Sequence, residues 1–357
     1  MSRKHNPSLP TIDIPYMIDF LTRLLNTPSP TGFSSQAIAL VEKELAAFPE
    51  VRTERTLKGS LLAFLPGEDG SDAPTTRGLT AHVDTLGGMV REIKASGRLE
   101  LTSVGGFAWG SVEGENCLIH TRENGTVRGS LLPHKASVHV YDNVRDDKRD
   151  AAAMEVRLDA KVASVAEARQ LGIEVGDFVS FDPRVEVVNG FVKSRHLDDK
   201  AAVANLLCAI KALHDHNLKP RASTCFLFSN FEEVGIGGSS DFPASLEELV
   251  AVDMAAIGDG QASDEFHASI CVKDGGGPYH HELSNKLRDL AAAYDIPVKV
   301  DIYVHYSSDG KAYWRAGGHA AVALIGPGVD SSHHYERTHT DALVDTTRWI
   351  LAYLLNN

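Results

Sequence analysis

The stretch Ala222-Ser223-Thr224-Cys225-Phe226-Leu227-Phe228-Ser229-Asn230, running straight into Phe231-Glu232-Glu233-Val234-Gly235, decides how this chain folds. Its apolar residues do not alternate with polar ones. A strand wetted on one face alternates, whereas a strand covered on both faces reads as a continuous apolar run. The stretch is therefore expected to be central and buried. Two adjacent carboxylates, Glu232 and Glu233, stand at its end. Carboxylates placed there are costly unless a cation or strong donors compensate them. A turn at the strand end can bring both into one cleft, where one ligates a metal and its neighbour acts as a base. The plainer reading is a solvated pair in a loop, and the tight Gly235-Ile236-Gly237-Gly238 that follows weakens it.

Working outward, an α/β rhythm surrounds this strand. Helices are expected over Asp198–His214, Leu283–Tyr294, Asp309–Ala316 and Thr346–Leu355. Strands are expected over Val250–Ile257, Val298–Val304 and Ala320–Ile325. Before them come helices at Ile14–Leu25 and Ser34–Ala47 and strands at Val51–Arg55, Ser60–Leu65 and Leu79–His82. Strands alternating with helices predict an α/β fold, a mostly parallel sheet covered by helices. Between Val90 and Val188 the character changes. Short strand-like runs alternate with glycine turns at Gly105-Gly106, Gly114, Gly125 and Gly129, and one helix, Ser164–Leu171, interrupts them. The expected division is an α/β domain from residues 1–90 and 188–357, with 91–187 inserted as a small β-rich domain.

Composition narrows the function. The chain has 357 residues, 43% hydrophobic and 23% charged, as a soluble globular protein does. Its net charge of −13 disfavours nucleic acid and anionic membranes as partners. The four cysteines form no CxxC pair and read as reduced thiols of a cytoplasmic protein. The polar run Met1–Pro10 lacks the apolar segment of a signal peptide, and no apolar run is long enough to span a membrane.

Further clusters share the chemistry of Glu232 and Glu233. Ala81-His82-Val83-Asp84 ends a strand, and period two puts His82 and Asp84 on one side of it. A histidine with such a carboxylate matches a metal ligand and a partner that fixes its tautomer. His196-Leu197-Asp198-Asp199 precedes a helix. Asp198 could simply cap that helix, but a carboxylate there can also bridge two metals. Asp253 is a lone acid in an apolar strand and needs a partner that a metal would supply. Ser332-His333-His334-Tyr335-Glu336-Arg337-Thr338-His339 offers three histidines. Only one of the adjacent His333 and His334 can face a common site, and His339 reads as a surface residue. Every candidate falls at a strand's carboxyl end or at a helix start beside one, which is where α/β sheets bind ligands. Nitrogen and oxygen ligands without a thiolate fit zinc, with cobalt or manganese as alternatives. A shared carboxylate with two ligands on each side describes a two-metal hydrolytic site.

These motifs, taken in order with Val104-Gly105-Gly106, Gly172–Asp177 and Ser308-Asp309-Gly310, resemble metallopeptidase family 42. These are the tetrahedral (TET) aminopeptidases, which include glutamyl and deblocking enzymes. The resemblance implies two divalent cations, His82 and Asp253 holding one, Glu233 and a late histidine the other, and Asp198 bridging them. It implies Glu232 as general base and Asp84 as the residue orienting His82. It further implies hydrolysis of N-terminal residues from short peptides, a β-rich domain that dimerises, and homo-oligomers in which dimers build a hollow dodecamer. The family usually places its last histidine four residues before a glutamate. Here Ser332 holds that spacing to Glu336, so His333 is the expected ligand and His334 the alternative. Ser332–His339 looks similar to a bacterial branch found with synthesis of the osmolyte N-acetylglutaminylglutamine amide. Two rival functions follow: a deacylase or carboxypeptidase-like amidohydrolase on the related fold, and a catalytically silent assembly protein.

Overall fold

The computed structural model describes residues 8–357, so residues 1–7 of the polar run Met1–Pro10 lie outside the described residues. Helix α1 (Ile14–Leu25) begins at Asp13, whose carboxylate accepts the Tyr16 amide at 3.0 Å, with Pro15 in its first turn. Helix α2 (Ser35–Leu45) and strands β1 (Arg52–Arg55), β2 (Leu61–Leu65) and β3 (Arg77–His82) follow. The next strands are β4 (Gly87–Ile93), β5 (Leu99–Val104), β6 (Asn116–His120), β7 (Thr126–Pro133), β8 (Met154–Leu158) and β9 (Phe178–Phe181), with helix α3 (Val165–Gln170) before the last. The chain then returns through β10 (Glu186–Val188) and β11 (Phe191–Ser194) into helix α4 (Leu197–Asp215). Strands β12 (Thr224–Ser229), β13 (Glu248–Val252), β14 (Ala255–Ala256), β15 (Ala268–Asp274) and β16 (Gly277–Pro278) precede helix α5 (His281–Ala293). Strand β17 (Val298–Ile302), helix α6 (Asp309–Arg315), strands β18 (Ala321–Val329) and β19 (Glu336–His339) and helix α7 (Thr340–Leu354) complete it.

The main sheet has the order β1-β2-β12-β3-β13-β18-β15-β16, with β14 beside β18 and β17 beside β15. Its centre, β12-β3-β13-β18, is parallel throughout. The continuous apolar run around Phe226 is explained by burial on both faces. Phe226 and Phe228 pack with Phe20 of α1, Leu206 of α4 and Trp349 of α7. Cys225, one residue out of phase, packs on the opposite face with Tyr313 and Trp314. Strand β13 divides in the same way, Val250 and Val252 to one side and Leu249 and Ala251 to the other. The α/β architecture and the mostly parallel sheet expected from the sequence are what the chain forms.

The β-rich stretch is a closed barrel of order β4-β5-β8-β7-β6-β9. It has a core of its own that includes Val90, Leu101, Ile119, Leu131, Val156 and Val179. A short sheet, β10-β11-β19, joins the barrel's exit to the C-terminal part of the chain.

Some boundaries differ from expectation. The strand expected over Val250–Ile257 is broken after Val252 and resumes as β14 at Ala255–Ala256, both pieces pairing with β18, and the backbone of Asp253 between them lies close against Gly326 of that strand. A Cβ on Gly326 would lie 1.8 Å from the Asp253 carbonyl oxygen. Helix α7 begins at Thr340 rather than Thr346, where His339 Nδ1 accepts the Asp341 amide at 3.2 Å. Strands β15 and β19 were not expected at all.

Candidate metal centre

Because β12, β3 and β13 lie side by side and run the same way, the residues leaving their carboxyl ends share one crevice. Strand β3 ends at His82, β12 leads into Glu232 and Glu233, and β13 into Asp253. Helix α4 brings Asp198. At Asp198 and Asp199, which a cis peptide bond joins, the backbone is not yet helical. The loop between β18 and β19 brings His333.

The two oxygens of Asp198 face two different histidines. Oδ1 is 3.2 Å from His82 Nε2, and Oδ2 is 3.4 Å from His333 Nε2. His333 Nε2 is also 3.4 Å from Glu233 Oε2, and Glu232 Oε2 is 3.7 Å from His82 Nε2. One donor atom each of His82, Asp198 and Glu233 lies within 4.8 Å of the others, as does one each of His82, Asp199 and Asp253. The fold thus gathers His82, Asp198, Glu232, Glu233, Asp253 and His333 into one cluster. His334 does not face it; its Nδ1 accepts the Tyr335 amide at 2.9 Å. His339 packs instead against Phe191 and Phe266.

Both histidines are oriented by main-chain carbonyls. His82 Nδ1 donates to the Asp84 oxygen at 2.8 Å, and His333 Nδ1 to the Gly106 oxygen at 2.5 Å. Each imidazole therefore turns its Nε2, not its Nδ1, toward the cluster. The expected role of Asp84 needs correcting in its detail. Its carboxylate stands 3.8 Å from His82 Nδ1, beyond hydrogen-bonding distance, and accepts the amides of Glu232 at 3.2 Å and Glu233 at 3.3 Å and the Thr31 hydroxyl at 2.6 Å. The residue's carbonyl orients the histidine while its side chain holds the glutamate pair.

The electrostatics describe a donor set short of positive charge. Burial pushes Glu233 up to about 8 and Asp253 up to about 7, with the Asp198 charge adding to both. Burial also lifts Glu232 and Asp199 well above the usual carboxylate range. Burial acts against the charged form of His333, but its hydrogen bond to Asp198 and the charge of Glu233 raise it to about 10. Burial opposes ionisation of Asp198 too, and its hydrogen bonds with His333 and His82 outweigh it and hold the group low. Two buried carboxylate oxygens, Asp199 Oδ1 and Glu233 Oε1, have no hydrogen-bond partner among the described residues. Unpartnered buried carboxylate oxygens, beside imidazoles that neighbouring carboxylates draw toward their charged form, mark a donor set suited to hard or borderline dications, whose charge reverses the local balance.

Sequence reasoning passed over several members of this site. Asp199 was visible only as the second of two adjacent aspartates. Gly106 contributes a carbonyl, which any residue carries. Left-handed backbone occurs at His196 (φ 76), Phe231 (φ 72) and His333 (φ 64), each at or beside a cluster residue. Such conformations cost non-glycine residues about 1–2 kcal/mol and gather at functional sites.

The model of the M42 glutamyl aminopeptidase family matches residues 59–348. This chain belongs to that family. It is an aminopeptidase, a peptide-bond hydrolase of a family that works with divalent metal ions. It is 48% identical over 338 residues to YhfE of Bacillus subtilis (strain 168), covering 94% of this chain and 96% of that one. It is 23% identical over 303 residues to the lysyl aminopeptidase of Pyrococcus furiosus, covering 80% of this chain and 81% of that one. The solved TET1 peptidase of Pyrococcus horikoshii superposes with a TM-score of 0.83 at 21% identity, covering 96% of this chain and 100% of that one. Among the described residues no helix is long and apolar enough to cross a membrane.

Proposed function

We propose that this enzyme removes N-terminal residues from short peptides with two divalent cations, zinc first among them and cobalt or manganese as alternatives. His82 and Asp253 would hold one cation, Glu233 and His333 the other, and Asp198 would bridge them. The observation that carries this reading is the Asp198 carboxylate, with one oxygen toward His82 and the other toward His333. When bound, the cations would lower the pKa of the attacking water and polarise the scissile carbonyl. Glu232 is the candidate base. Its side chain is 13% exposed, and its peptide is held by Asp84. Burial raises its proton affinity, which suits a group that takes a proton from water and returns it to the leaving amine.

A homo-oligomeric, cytoplasmic enzyme is the companion proposal. The Pyrococcus horikoshii TET1 peptidase can assemble into a tetrahedron or a large octahedral shell. In this chain the inserted domain, residues 91–187, is the candidate dimerisation module. Its long loop exposes Val138 at 62% and Val140 at 70%, apolar surface suited to a partner copy. The free cysteines agree with a reducing compartment.

The test combines metal analysis, size measurement and a panel of aminoacyl fluorogenic substrates, with N-blocked controls and the osmolyte dipeptide. Two equivalents of metal and turnover only of free-amine substrates are expected. Turnover of the blocked substrates instead would move the reading to a deacylase. Glu232→Gln should lower kcat by about 10²–10⁴ with metal content unchanged. Near-normal turnover by that variant would reject the base assignment.

A further inference from the structure

One side chain holds both segments that carry Asp198 and His333. Glu336 is 2% exposed. Its Oε2 accepts the Asp198 amide at 3.0 Å, and its Oε1 accepts the His333 amide at 3.1 Å. Both amides lie where regular structure supplies no acceptor. Asp198 has ψ 105, outside the helical region, so its N–H belongs with the orphan donors of a helix start. His333 is left-handed, at φ 64.

The sheet explains how Glu336 reaches this place. It opens β19, where it pairs with Ser194 of β11. From Ser194 the chain passes through Arg195 and His196 to Asp198. The β11–β19 ladder therefore sets a carboxylate directly between the start of α4 and the His333 loop. A carboxylate suits the position, because it offers two acceptor oxygens at a fixed spacing and no donor. Glutamine would offer one acceptor and turn an N–H toward the other amide. Buried amides left without an acceptor are costly, so the loop would shift instead.

We propose that Glu336 is a positioning residue that sets the separation of Asp198 and His333, and with it the geometry of the His333 side of the metal centre. The inference rests on the reading of those two residues as ligands. Groups that support ligands from outside the coordination sphere are commonly worth about 10–100-fold in metal affinity or activity. Ser332 belongs to the same arrangement, its hydroxyl donating to Asp198 Oδ2 at 3.0 Å.

The test uses the full chain, wild type and Glu336→Gln, titrated with Zn²⁺ after chelator treatment and separately loaded with Co²⁺ for its visible spectrum. Wild type should take up two equivalents. Glu336→Gln should keep one and bind the second about 10–100-fold more weakly, with an altered Co²⁺ spectrum and a loss in kcat rather than in KM. Glu336→Asp keeps a carboxyl group with both oxygens but withdraws them by one methylene. It should fall between the two, and it supplies the result if the glutamine variant does not fold. A folded variant with wild-type affinity for both equivalents and an unchanged Co²⁺ spectrum overturns the inference. Fewer than two equivalents in wild type overturns the two-metal reading itself, and this inference with it.

Discussion

Asp84 shows how much one residue can divide its work. It is fully buried, its carbonyl serves His82, and its carboxylate serves the amides of Glu232 and Glu233. Asparagine keeps the carbonyl and one side-chain acceptor but loses the second. Asp84→Asn should therefore leave metal affinity near wild type and lower kcat by about 10–100-fold, because the peptide carrying Glu232 and Glu233 is no longer held from both sides. Metal titration and steady-state kinetics on one preparation separate the two roles. A large loss of affinity, with turnover restored by excess metal, would mean that the carboxylate acts through His82 after all.

At the scale of elements, the loop after β12 is locked by α6. Asp309, at the start of α6, accepts the hydroxyls of Thr80 at 2.8 Å and Ser229 at 2.5 Å and the Gly238 amide at 2.6 Å. It thereby ties β3, β12 and the glycine turn together. A Cβ on Gly237 would lie 1.9 Å from Asp309 Oδ1 and 2.9 Å from Glu232 Cα. Gly237→Ala should cost about 1–3 kcal/mol in a denaturant midpoint and reduce turnover more than that loss of stability accounts for. Wild-type stability and turnover together would show that the clamp yields. The same elements show what a sequence can reveal. Strands β12 and β13 were legible because burial on both faces leaves uninterrupted apolar letters. Strand β15 was not, because the buried Ser269 and the polar Lys273 and Asp274 break its pattern. The strand-end carboxylates were legible as costly residues in apolar surroundings, and His82 by its period-two spacing from Asp84 at a strand end. Asp199 and the working contacts of Glu336 were not, because they depend on backbone angles and main-chain partners that no residue type announces.

At the scale of the whole molecule, the barrel and the α/β domain meet at the candidate metal centre. Gly106, in the loop after β5, orients His333. Beside it, Arg195 is 4% exposed and spans the junction. Its guanidinium donates to the Ser111 carbonyl at 2.5 Å, to Glu115 Oε1 at 2.9 Å and to the His334 carbonyl at 3.2 Å. Ser111 and Glu115 lie in the connection between barrel strands β5 and β6, and His334 follows His333 in its loop. Removing one partner of a buried ion pair strands the other, at a cost of about 3–5 kcal/mol. Here Arg184 also reaches Glu115 at 2.9 Å, so Arg195→Met should fall toward the lower end of that range. Glu115→Gln removes the stranded charge, and the double variant should be more stable than the two single losses predict, by about 0.5–3 kcal/mol. Metal affinity should behave differently. Arg195→Met frees the His334 carbonyl and should weaken metal on the His333 side, and Glu115→Gln cannot restore a bond that it never made. Denaturation and zinc titration of the four proteins therefore separate two roles of one guanidinium. Recovery of stability without recovery of affinity would mean that the junction both joins the domains and shapes the site. Unchanged affinity throughout would mean that the barrel's attachment and the metal centre are independent.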